Sequence, residues 1–340
     1  MQVEPLNYCA HAIEDLQKLE RALRPVALQS ARTVLRLADL LRRSVKFILP
    51  NCCDLIDPEE MKQAHLDLFR LPFPVVALEA PWQREAGPDQ IGEFKQLPAT
   101  KRIALCWEAS AAHEVMPGLN EILQRFPQGG VFVVPIYWGP SFDSWNIAIG
   151  GAFLPYDNEI VTVTDSHQIL PASRIAHEAM AEAGRKLGKQ FSAEPFWLLR
   201  EHFEQAVAQY GSVDKAYAQI MLDTHDEIMV LIQVCSVLNC ANVGTADVAA
   251  PEALNKKRRA KGKQPFFSYK VLELSDERRA PGAGRGSGSH GAPRMHLRRG
   301  HLRRLQEKVV WVRPSMVNAN SEHGIVAKDY AVKSTRAPGH

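Results

Sequence analysis

The apolar positions of this chain change period along its length, and each change marks a new kind of element. Ile13, Leu16, Leu19 and Leu23 recur at helical spacing within residues 8–45. Pro25 interrupts the stripe, and Val34, Leu37 and Leu41 resume it with Arg36, Arg42 and Arg43 outside it. The pattern predicts amphipathic helix packed over a sheet. Short runs rich in Val, Ile and aromatics then follow at 45–49, 73–80, 102–108, 131–138, 145–154 and 159–164, bounded by Pro, Gly, Asn or Asp. These read as strands. Only residues 117–126 interpose a clear helix between two of them, which favours a mixed, largely antiparallel sheet over a regular βαβ array.

Helical period returns over 171–189 and 193–243, the latter in at least two helices parted near Gly211 and Ser212. Residues 251–264 read as a basic connector, 265–274 as a strand and 279–292 as a mobile loop rich in Gly, Ser, Ala and Arg. Residues 295–305 and 309–317 predict a hairpin turning at 306–308, and 324–332 a last strand. The expected architecture is α+β: a mixed, largely antiparallel sheet with packed helices, plus a C-terminal basic β-hairpin module. An α+β body over 1–250 is followed by the connector and by a β-rich module over 265–335.

Charge changes the picture more than composition does. The 340 residues are 46% hydrophobic with a formal charge of +3, which excludes a wholly disordered chain. That near-neutrality is a cancellation, because residues 1–254 carry −11, residues 255–313 carry +13 and the remainder +1. The body is acidic and the segment after it strongly basic. Clustered Lys and Arg raise the local potential and release counterions on meeting phosphates, so the asymmetry points to a polyanionic partner. A solvated surface that aids solubility is the plainer account of the same charges.

The 6 cysteines form no C-x-x-C pair and no disulfide framework, so they read as reduced small hydrophobes in a reducing compartment. No export signal is visible at the N-terminus, and the apolar stretch 229–243 is interrupted by Gln233, Ser236, Asn239 and Asn242. It reads as a buried helix. The expectation is a cytoplasmic protein with no membrane partner, no metal and no cofactor.

The densest chemistry lies between Arg294 and Arg313. Arg294, Arg298, Arg299, Arg303 and Arg304 alternate with His296, His301 and apolar residues, and Trp311 follows inside Val-Val-Trp-Val. Arginine's planar fork matches phosphate, and tryptophan offers a stacking face, although Trp311 also sits where a core side chain would. Lys256, Lys257, Arg258 and Arg259 add a second basic cluster. These residues are the candidate contacts to RNA or DNA.

His301 with Arg299 and Arg303 would share one strand face, which could hold a phosphate beside a general acid or base. That makes a metal-independent nuclease, with His301 and His296 as candidate catalytic residues, the enzymatic alternative. In an unbroken strand the two histidines, five apart, point to opposite faces; a bulge at Gly300 would change that. Binding of a host protein through the acidic body is a third possibility.

Weaker candidates complete the survey. Gly282–Gly291 lacks the Gly-Lys-Ser/Thr ending of a P-loop. Asp223, His225, Asp226 and Glu227 form a polar cluster in which His225 reads as a packed or capping histidine. Glu79 and Glu108 close apolar strands, where paired carboxylates can hold a metal.

The segment from Pro251 and Leu254-Asn255-Lys256-Lys257-Arg258-Arg259, through the 266–274 strand, to His296-Leu297-Arg298-Arg299-Gly300-His301-Leu302-Arg303-Arg304-Leu305 and Val310-Trp311-Val312 resembles a family of uncharacterised proteins of tailed phages and prophages. The likeness covers about residues 235–332, with Glu307-Lys308 where the family carries a Gly-Lys turn. It implies a phage origin and action in bacterial cytoplasm, and it supplies no activity.

Overall fold

The computed structural model describes residues 4–56, 61–84, 90–96, 98–108, 120–161, 170–184 and 190–274, together with the strand segments 296–298, 301–304, 309–312, 315–317 and 333–334. Helices α1 (Tyr8–Leu23) and α2 (Leu28–Arg43) lead into β1 (Val45–Ile48), a 3-10 turn at Asn51–Cys53 and α3 (Gln63–Asp67). Strands β2 (Val75–Pro81), β3 (Gln90–Ile91), β4 (Phe94–Lys95) and β5 (Lys101–Glu108) follow. After α4 (Asn120–Arg125) come β6 (Gly130–Gly139), β7 (Ser144–Ile147), β8 (Gly150–Pro155) and β9 (Ile160–Val161). Next are α5 (Pro171–Glu182), β10 (Gln190–Phe191), β11 (Glu194–Trp197), α6 (Arg200–Tyr210) and the long α7 (Val213–Leu238). β12 (Val243–Val248), α8 (Glu252–Ala260) and β13 (Tyr269–Leu274) precede β14 (His296–Arg298), β15 (His301–Arg304), β16 (Val309–Val312), β17 (Ser315–Val317) and β18 (Lys333–Ser334).

Ten strands form one sheet in the order β11-β8-β6-β5-β2-β1-β13-β12, with β7 added to β6 and β18 to β13. From β2 to β11 every neighbour is antiparallel, whereas β1 runs parallel to both β2 and β13. The fold is therefore α+β around a mixed sheet. Its central strands are buried on both faces, which is why they read as continuous apolar runs. Val76, Leu78, Ala104, Cys106, Val131 and Val133 pack on the face covered by α7. The alternate residues Ala77, Ile103, Leu105, Trp107, Phe132 and Val134 pack on the face covered by α1 and α2.

Neither α1 nor α2 has a side-chain cap of its own, and each borrows a distant carboxylate. Buried Glu79 of β2 accepts the amide protons of Tyr8 and Cys9 at 3.0 and 2.8 Å. Glu201 of α6 accepts those of Gln29 and Ser30 at 3.0 and 3.1 Å. A helix N-terminus leaves unpaired N–H groups and a positive dipole end, and both carboxylates answer both needs.

Four sequence expectations change, the first being that Glu194–Trp197, read as the start of a helix, is strand β11 paired with β8. The run 145–154 is two strands, both paired with β6, because the ladder shifts between Ile136↔Ile147 and Val133↔Ala152. Glycines permit the close approach there: a Cβ at Gly151 would lie 2.4 Å from the Val133 carbonyl oxygen. The helical reading up to 243 stops at Leu238, and Val243 opens the half-exposed strand β12. The basic connector contains helix α8, with Pro251 before it and Gly262 after it at φ 64°. Strand β13 lies between β1 and β12, so the large sheet draws on chain from both sides of the charge boundary. The loop 279–292, the glycine run 282–291, the turn 306–308, the strand 324–332 and the residues Arg294, Arg299 and Gly300 lie outside the described residues.

Candidate nucleic-acid interface and a buried ion cluster

Helix α8 is built from strong helix formers, Ala, Leu, Lys and Arg, after a first turn carrying Glu252. One face holds it to the body. Buried Asn255 donates through Nδ2 to the Phe266 carbonyl at 2.9 Å and accepts the Phe266 amide proton at 2.6 Å. One turn on, the Arg258 guanidinium donates from Nε to the Gln264 carbonyl and from Nη2 to Glu14 Oε1, both at 2.6 Å. It also lies 4.1 Å above the Phe266 ring. At the helix end, Gly262 and Lys263 donate their amide protons back to the Arg259 and Arg258 carbonyls at 3.0 and 2.9 Å, which satisfies carbonyls that a helix terminus otherwise leaves open.

The opposite face is cationic. Lys256, Lys257, Arg259, Lys261 and Lys263 are all exposed. Among the described residues none of the five joins an ion pair. No Asp or Glu occurs between Ala253 and Leu272 to neutralise them from nearby sequence. Of the four candidate contacts at 256–259, the structure turns three outward and uses Arg258 as an internal tie.

Farther on, β15 and β16 pair antiparallel with His301↔Val312, Leu302↔Trp311, Arg303↔Val310 and Arg304↔Val309. β14 and β17 pair with His296↔Val317, Leu297↔Met316 and Arg298↔Ser315. Arg299 and Gly300, the link between these two pairings and the place of the expected bulge, lie outside the described residues. Val309 returns to the body, where its carbonyl accepts the Ala241 amide proton at 3.0 Å and its side chain packs on the α7 core. Ala241 precedes β12 and α8 follows it, so the two basic elements attach at opposite ends of that strand, about 17 Å of strand apart.

A second polar constellation lies inside the body, where α7 crosses β5 and β6. Arg102 Nη1 donates to both oxygens of buried Glu227 at 2.8 and 3.0 Å, and its Nη2 stands 3.2 Å from Asp226. Arg84 reaches the same Asp226 oxygen at 2.9 Å. Both guanidinium groups lie about the Trp82 ring, at 5.0 Å for Arg102 and 5.1 Å for Arg84. Asp223, one turn before Glu227, accepts from Gln219 Nε2 at 2.8 Å, and Tyr210 donates to Gln219 at 2.8 Å. Burial pushes the Asp223 carboxyl up to about 7 and pushes Glu227 up against the pull of Arg102. The cluster ties α7 to the sheet, and Asp223 can exchange a proton near neutral pH. The acids stood out in the sequence; Arg102 did not, because only the strand register sets it, beside its partner Tyr137, under α7. His225, read as a packed or capping histidine, is exposed.

The remaining candidates are structural. Glu79 caps α1 and also accepts from Tyr269 Oη at 2.9 Å, while Glu108 accepts from Tyr156 Oη at 2.9 Å. They do not converge on a metal site, and no group of three or more His, Cys, Asp or Glu among the described residues is placed to hold an ion. All six cysteines carry free thiols. No helix among the described residues is long and apolar enough to cross a membrane. No family model, curated protein or solved structure matches the chain.

Proposed function

We propose that this protein binds nucleic acid through the cations of residues 255–313, as a phage-encoded accessory protein acting in the bacterial cytoplasm. The observation that carries the reading is the partition of charge, +13 on this segment against −11 on residues 1–254. Where the segment's side chains are described, Lys256, Lys257, Arg259, Lys261 and Lys263 face solvent without carboxylate partners among the described residues, while Arg258 and Lys270 pair with Glu14 and Asp247. Arg294, Arg298, Arg299, Arg303 and Arg304 contact phosphate, Trp311 stacks or supports, and Lys256, Lys257 and Arg259 extend the basic surface.

The experiment is a binding titration of the Arg303→Ala/Arg304→Ala variant against wild type on RNA and DNA across a salt series. Loss of two phosphate contacts weakens binding and flattens the slope of log K against log salt by about 1.4–1.8. Equal slopes for the two proteins would overturn the assignment of these arginines.

A further inference from the structure

We infer that α8 and the turn after it form a preorganised, sequence-independent contact to the phosphodiester backbone, oriented by the Arg258–Glu14 pair, with Arg258 itself making no phosphate contact. The inference rests on the nucleic-acid reading above and narrows it to one element, one chemical target and one positioning residue.

Asn255 and Arg258, three residues apart, occupy one face of the helix and spend their polar atoms on Phe266, Gln264 and Glu14. Lys256, Lys257 and Arg259 then necessarily fall on the remaining surface, with Lys261 and Lys263 continuing it around Gly262. Ala253 and Ala260 are exposed on the same outward side, and their short side chains let a polymer backbone come close. A helix already fixed at both ends loses little freedom on binding, so the cations act at low entropic cost.

The neighbouring aromatics indicate what is read. Base recognition by stacking needs a free ring face. Phe266 and Phe267 are the aromatics beside α8, and each already carries an internal cation, Arg258 at 4.1 Å and Lys46 at 3.7 Å. Phosphate contact without base contact positions a polymer and carries no sequence information. An amphipathic membrane helix or a protein-docking helix would set a cluster of large apolar residues beside its cations. Leu254 is the sole large exposed apolar residue of α8, so a phosphodiester chain fits this surface better than a bilayer or an acidic protein.

Arg258 is a positioning residue on this account. A lysine there keeps the charge but has no planar fork to reach Gln264 and Glu14 together or to stack on Phe266.

The full-length protein tests this with fluorescently labelled DNA duplexes of two unrelated sequences, titrated across a salt series. The Lys256→Ala/Lys257→Ala/Arg259→Ala variant is expected to lower the salt slope by about 2.7, equally on both duplexes, at roughly 0.9 per lost contact. Arg258→Lys is expected to lose binding about as severely as Arg258→Gln, whereas Lys257→Arg binds like wild type. Circular dichroism confirms that each variant is folded. Wild-type binding unchanged in the triple variant but lost in Arg303→Ala/Arg304→Ala overturns this inference and leaves the nucleic-acid reading standing. Absence of wild-type binding overturns both. Arg258→Lys binding like wild type removes the positioning role. A triple-variant defect on phosphatidylserine vesicles or polyglutamate, with duplex binding intact, assigns the surface to another partner and overturns the inference.

Discussion

Arg258 and Glu14, 244 residues apart in sequence, meet at 2.6 Å and join the basic helix α8 to the first helix of the acidic body. Arg258 is therefore spent within the protein, as is Lys270 on Asp247 at 2.7 Å. The charge that faces a partner is smaller than the sequence count, and its orientation depends on a carboxylate from the other end of the chain.

Gly262 holds the turn that closes α8 at φ 64°, with open space around it. Gly262→Ala therefore meets no steric clash and carries only the cost of a left-handed residue, about 1–2 kcal/mol. Urea unfolding is expected to show a loss of this size, and no loss would mean the turn relaxes without it.

The Asp223 carboxyl is raised by burial from 3.8 to about 7, so the folded state holds its proton more tightly than the unfolded chain. Its contribution to stability is then full below about pH 4 and is lost as pH rises through about 7. Asp223→Asn keeps an acceptor for Gln219 and is expected to flatten the stability decline across that window, gaining on wild type at pH 8 relative to pH 4. Parallel pH profiles of the urea midpoint would contradict the shift.

Buried Glu79 satisfies the Tyr8 and Cys9 amides and the Tyr269 hydroxyl at once. Glu79→Ala leaves two buried donors, the Cys9 amide and the Tyr269 hydroxyl, and the part-buried Tyr8 amide without this acceptor, and is expected to cost about 3–5 kcal/mol. Thermal unfolding is the check, and a change below about 1 kcal/mol would show that α1 does not depend on this cap.

Glu201→Ala removes the cap from α2 at a more exposed site, where only Gln29 and Ser30 rely on it. The expected cost is about 1 kcal/mol, visible as faster amide exchange at these two residues. Unchanged exchange there would contradict the capping role.

Much of the fold was legible because its signals are local. The stripe through Ile13, Leu16 and Leu23 and the two-sided apolar runs of β2, β5 and β6 declare themselves in single segments. β12 went unread beyond Val243, where the helical reading ended, because its Gly244, Thr245 and Asp247 are exposed and leave no apolar alternation. α8 was read as a connector because the features that anchor it, Glu14 and Phe266, lie outside its own sequence. The cations of the candidate interface were visible by composition. Which of them face outward was not, since the inward turn of Arg258 is decided by tertiary contacts. Arg102 escaped notice for the same reason: an arginine opening a strand looks solvated until α7 brings Glu227 over it.

The most direct test of the account is the salt dependence of nucleic-acid binding by the intact wild-type protein, measured by fluorescence anisotropy on duplex and single-stranded oligonucleotides. The account predicts saturable binding whose log K falls linearly with log salt, losing about 0.7–0.9 in slope for each phosphate engaged. Absent binding, or binding indifferent to salt, would contradict it.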